Sequence, residues 1–175
     1  QKHVALQYMC QLTSVQELCN AVEQSAHQEL TSIMRHHVFI GMADTKLALL
    51  QHKTQLYLVQ VPILSWELVY QQVLRCFSFF GTLQLANPVD LSALLAIAMD
   101  DEEDAGRWNE SEETNSKQKI VELGVAALQE KAELLKEYFA VDIDGAGRLV
   151  SLPLVIDGLV PDLLHLPAFV LAMAQ

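Results

Sequence analysis

The sequence predicts an α+β domain, and three observations carry that reading. Several stretches repeat apolar residues at helical spacing, others are short apolar runs separated by turns of hairpin length, and the two kinds do not alternate strictly. A chain of 175 residues buries roughly 70% of the surface its unfolded form exposes, enough for a self-sufficient core. One domain, or one domain with a small appended lobe, is the expected organisation.

The elements follow in order. Ser14-Val15-Gln16-Glu17 has the form of a capping box. Behind it Val15, Leu18, Val22, Ala26, Leu30 and Ile33 share one helical face, so a helix is expected from about 14 to 35. Three apolar runs follow, over 37–42, 46–51 and 55–61, with Ala43-Asp44-Thr45 and His52-Lys53-Thr54 between them. They are rich in β-branched, aromatic and aliphatic residues and read as an antiparallel meander that Pro62 ends. Ser65 is placed to cap a helix lined by Trp66, Val69, Tyr70, Val73, Leu74, Phe77 and Phe80, stopped by Gly81. Asn87-Pro88-Val89-Asp90 suggests a further helix with Pro88 in its first turn. Residues 100–116 lose periodicity and read as a solvated, disordered acidic loop. A helix is expected over 117–138, then a hairpin whose arms, 139–143 and 148–156, flank Asp144-Gly145-Ala146-Gly147. The apolar tail from Val160 contains Pro161 and Pro167 and stops without a cap, so the natural domain is expected to continue past Gln175.

Charge and cysteines narrow the function. There are 22 acidic against 11 basic residues, a net charge of −11. Nucleic-acid affinity rests mainly on Lys and Arg neutralising phosphates, so direct DNA binding by this segment is expected to be weak. The excess is partly local: Asp100, Asp101, Glu102, Glu103, Asp104, Glu110, Glu112 and Glu113 fall in one stretch. Cys10, Cys19 and Cys76 are odd in number and widely spaced, which suits reduced, largely buried thiols of an intracellular protein. No apolar run approaches the roughly 18 residues that cross a bilayer, and the first residues lack a signal-peptide pattern.

Catalytic motifs are missing where the common ones would stand. No glycine-flanked serine elbow, phosphate-cradling glycine loop, dinucleotide fingerprint or Cys/His metal spacing occurs. Asp142-Ile143-Asp144-Gly145-Ala146-Gly147 has a faint likeness to a calcium loop, but Ala146 and Pro153 stand where ligands are required, so it reads as a glycine-rich turn. His36 and His37 are adjacent, and on a strand they would point to opposite faces rather than share a metal. No catalytic, cofactor-binding or metal-ligating residue is assigned.

The stretch Leu47-Ala48-Leu49-Leu50-Gln51-His52-Lys53-Thr54-Gln55-Leu56-Tyr57-Leu58-Val59-Gln60-Val61 sets a Gln-His pair between apolar strands behind an amphipathic helix. In this it resembles the C-terminal domain of the MutL family. Leu12-Thr13-Ser14-Val15, Glu67-Leu68-Val69-Tyr70-Gln71-Gln72, Phe80-Gly81-Thr82-Leu83-Gln84-Leu85, the stretch 131–139 and Leu152-Pro153-Leu154-Val155-Ile156-Asp157 extend the resemblance over nearly the whole chain, in order. It is nearest to the branch that serves as the subunit common to the eukaryotic heterodimers.

The resemblance implies a dimerisation lobe with antiparallel strands and helices plus an external helical lobe. It implies residues 1–80 as the first part of the dimerisation lobe and 81–156 as the external lobe. Residues 157–175 would then return to the first lobe. Nuclease-competent members carry Asp-Gln-His-Ala and two following Glu. Those positions fall here on Leu50, Gln51, His52, Lys53, Leu56 and Val61, so every carboxylate is replaced and no cation would be held to activate water. The implied role is a non-catalytic scaffold without a cofactor, nuclear, in mismatch repair and meiosis. Its expected partner is a second MutL homologue of the post-meiotic-segregation or third-homologue type, with the repair exonuclease as a further docking partner. Val15, Leu18, Val22, Phe39, Leu47, Leu49, Tyr57 and Leu58 are the partner-face candidates. A hydrolase or nuclease with a dispersed site is the alternative, and a small-molecule-binding domain with a large polar-lined apolar pocket is a third reading.

Overall fold

Short local turns organise the first part of the chain. Asp44 accepts the Lys46 and Leu47 amides at 2.6 and 2.8 Å, and Lys53 takes the left-handed conformation (φ 55°) between two strands. In the computed structural model, which describes residues 12–109 and 116–175, these turns join β1 (Val38–Met42), β2 (Leu47–His52) and β3 (Gln55–Gln60) into an antiparallel sheet of that order. The meander and the α+β class are as expected. Cys10 and the acidic residues Glu110, Glu112 and Glu113 lie outside the described residues.

The chain divides into two units, the first ending at Phe77 and the second beginning at Ser78. In the first, the expected 14–35 helix is two helices, α1 (Thr13–Gln24) and α2 (Gln28–His36). The Ser25 hydroxyl donates to the Val22 carbonyl at 2.9 Å, and the His27 ring accepts the Leu30 amide at 3.3 Å. These side chains close one helix and open the next where the apolar spacing alone runs on. The Ser14 capping box does not form: Ser14 is already helical, and the Val15 and Gln16 amides bond to the Leu12 carbonyl. After β3, α3 (Val61–Arg75) begins four residues before Ser65, because Pro62 is tolerated in a first turn. It packs against α1, and Val15, Ile33, Ala48, Leu50 and Leu74 are buried.

The second unit pairs β4 (Gly81–Asp90) with β6 (Arg148–Leu154), and β6 with β5 (Asp142–Ile143), all antiparallel. The helix expected from Asn87 is displaced. Pro88 lies in β4 within an irregular register between Gln84 and Val89, where a residue without an N–H is tolerated. Asp90 instead caps α4 (Leu91–Asp104), accepting the Ser92 and Ala93 amides at 2.8 and 3.2 Å. The acidic run is correspondingly not a loop from residue 100, since α4 continues through Asp104. Acidic groups at a helix C-terminus oppose the helix dipole. Arg107, bonded twice to Glu102 at 2.7 Å, and Lys117, bonded to Asp100 and Glu103, offset that cost.

The helix expected over 117–138 breaks at Lys131 into α5 (Lys117–Glu130) and α6 (Ala132–Phe139), and α6 closes on left-handed Ala140. The 144–147 turn forms as expected, with the Asp144 carboxylate accepting the Ala146 and Arg148 amides and the Arg148 guanidinium. After a short 3₁₀ turn, α7 (Leu166–Ala174) packs against α4 and α5. Leu166 and Val170 join Leu91, Leu95, Leu128 and Leu149 in this unit's core. The α7 segment of the tail thus packs into the core of the second unit.

Candidate functional site

The register of the β1–β2–β3 sheet sorts its side chains onto two faces, since directly paired residues share a face. One face carries Ala48, Leu50 and His52, all buried, with Phe39, Met42, Tyr57 and Val59 beside them. The opposite face carries Leu47, Leu49 and Gln51 of β2 against Gln60, Leu58 and Leu56 of β3, with Val38 of β1 opposite Gln51. Leu56, Leu58 and Val38 are 63%, 59% and 61% exposed, and Leu47 and Leu49 are half-buried between them. No strand position on this face is charged. It is an open aliphatic surface, of the kind that marks an interaction site.

The eight partner-face candidates are distributed unevenly over this geometry. Leu47, Leu49 and Leu58 stand together on the open face. Phe39 and Tyr57 belong to the other face, Phe39 at the exposed β1 edge. Leu18 is exposed on α1 and Val22 is half-buried one turn on. Val15, only 7% exposed, is buried within the unit. Val38 and Leu56 were missed; the alternation of Leu56 and Leu58 with Tyr57 and Val59 carries the signal for Leu56, whereas Val38 joins the face only through its pairing with Gln51. On α3, Ile63, Trp66 and Leu68 are also exposed, and Trp66 stacks on Tyr70 with ring centroids 5.4 Å apart.

The positions that match the nuclease pattern do not converge on one point. Leu50 is buried on the covered face, Leu56 stands on the open one, and Val61 opens α3. Gln51 turns back to donate to the Lys53 carbonyl at 3.1 Å, and His52 is buried at the hairpin end. His36 and His37 lie at the end of α2, not on a strand. Each ring bonds locally, to the Ser32 and Met34 carbonyls at 3.0 and 2.8 Å. Cys19 and Cys76 are partly buried and free, Cys19 Sγ lying 3.9 Å from the Leu74 carbonyl.

In the second unit a groove of about 590 Å³ is lined mainly by apolar side chains, including Leu95, Met99, Trp108, Ile120 and Leu123. Its two charged members, Glu102 and Arg107, are bonded to one another, and the Arg107 guanidinium holds the Glu102 carboxyl below its ordinary pKa. Among the described residues, that leaves the groove without a convergent set of charged groups of the kind that orients a small ligand.

Two α+β units, the first bearing an open aliphatic sheet, agree with the fold expected of a MutL C-terminal domain. The family model described as DNA mismatch repair protein Mlh1 C-terminus matches residues 11–175, so the chain belongs to the Mlh1 C-terminal family. It is 34% identical over 164 residues to DNA mismatch repair protein Mlh1 of Dictyostelium discoideum, covering 94% of this chain and 18% of that protein. It is 30% identical over 176 residues to MLH1 of Saccharomyces cerevisiae, covering 94% and 22%. The putative MutL protein homolog 1 of Schizosaccharomyces pombe is 29% identical over 161 residues, covering 91% and 22%. The chain thus spans about a fifth of the length of the curated relatives it matches.

Proposed function

We propose that this domain is a non-catalytic pairing module of a MutL-type mismatch repair heterodimer. The observation that carries the reading is the uncharged open face of Val38, Leu47, Leu49, Leu56 and Leu58. An exposed aliphatic sheet face is costly in water and is relieved when a second apolar surface covers it. The partner in this reading is a second MutL homologue, of the post-meiotic-segregation or third-homologue type, which supplies the nuclease. The assembled pair works in the nucleus, in repair and in meiosis, and docks repair factors such as the exonuclease. In this reading residues 1–80 belong to the dimerisation lobe and residues 81–156 form the external lobe. DNA contact by this segment is minor, because its net charge of −11 repels phosphate.

The absence of the nuclease carboxylates at Leu50, Leu56 and Val61 supports a role without catalysis. Co-purification of the full-length protein with each candidate homologue tests the pairing, and nicking of supercoiled DNA with manganese tests the division of labour. The expected result is stable complexes whose incision depends on the partner. His52→Ala should leave incision by the assembled pair nearly unchanged. Metal-dependent nicking by this domain alone, or a large incision defect in a folded and still-paired His52→Ala variant, would overturn the proposal in favour of a dispersed nuclease site.

A further inference from the structure

We draw no further inference here: the strongest candidate, the apolar groove between α4, α5 and α7 of the second unit, lined by Leu95, Met99, Trp108, Ile120, Leu123 and Leu171, carries none because nothing in the structure shows what covers it.

Discussion

The two units divide the chain's charge and its apolar surface in opposite ways. Residues 1–77 contain five acidic and five basic side chains, whereas residues 78–175 contain seventeen and six. The whole net charge of −11 thus belongs to the second unit. That unit closes around a core in which Leu91, Leu149 and Val170 are fully buried. The first unit is electrically neutral and leaves one face of its sheet aliphatic and open. A surface intended for burial against another protein cannot carry charge cheaply, since each unpaired ion taken out of water costs several kcal/mol. A unit that stays in solvent gains solubility from charge. The contrast separates a surface suited to association from a body suited to solvation.

The sharpest way to break this comparison is Leu58→Asp. The side chain is exposed in the isolated chain, so thermal unfolding should shift little. Pairing should fall by on the order of a hundredfold or more, because a carboxylate would be buried without a counterion. Complex formation followed by light scattering reads the outcome, and unchanged affinity would remove the open face from the interface.

Leu149→Ala reverses the pattern. Leu149 is 0% exposed in the second core, and truncation there should cost about 2–5 kcal/mol in urea unfolding. Leu56→Ala on the open face should stay within about 0.5 kcal/mol. Similar losses at the two sites would show that the first unit hides more surface than its geometry implies.

A smaller effect is expected at Asp90. The Ser92 hydroxyl, followed by the Ala93 and Ser92 amides, lowers its pKa from the ordinary 3.8. A depressed carboxylate contributes stability above its unfolded pKa and loses it as pH falls through the lower folded value. Asp90→Ala should therefore cost about 1 kcal/mol at neutral pH. That difference should shrink below pH 3.8, as stability curves from pH 2 to pH 7 would reveal. The smallest change belongs to Arg107→Ala. Its bond to Glu102 is solvent-exposed, so the melting temperature should move by about a degree at low salt and less at high salt. A large shift would mean that the pair anchors the end of α4.

What was legible in the sequence followed locality. The meander could be read because its turns are closed by neighbours, Asp44 on Lys46 and Leu47, and Lys53 in a left-handed turn. The 144–147 turn was readable for the same reason. The break between α1 and α2 was not, because apolar spacing continues through it while Ser25 and His27 act through single side-chain bonds. Strand β4 was hidden because its ladder partner lies far away, Gly81 pairing with Leu154. Pro88 then invited a helix that the ladder overrides. For the candidate surface, alternation along β3 already separates Leu56 and Leu58 from Tyr57, but only the β2–β3 register places Leu47 and Leu49 on the same face as Leu58. The burial of Val15 could not be read either, because helical spacing marks an apolar face without saying which side the fold covers.

The same difference in ladder separation bears on synthesis at the ribosome. The sheet of β1, β2 and β3 is complete in sequence once Gln60 has been made, while β4 must wait for β6, which ends at Leu154. Translation runs at about 5–20 residues per second, so roughly 5–20 s separate the two events. During that interval a nascent chain can already expose Leu56 and Leu58 while the second unit is unfinished. The β1–β2–β3 sheet can thus meet chaperones before the second unit exists to be folded.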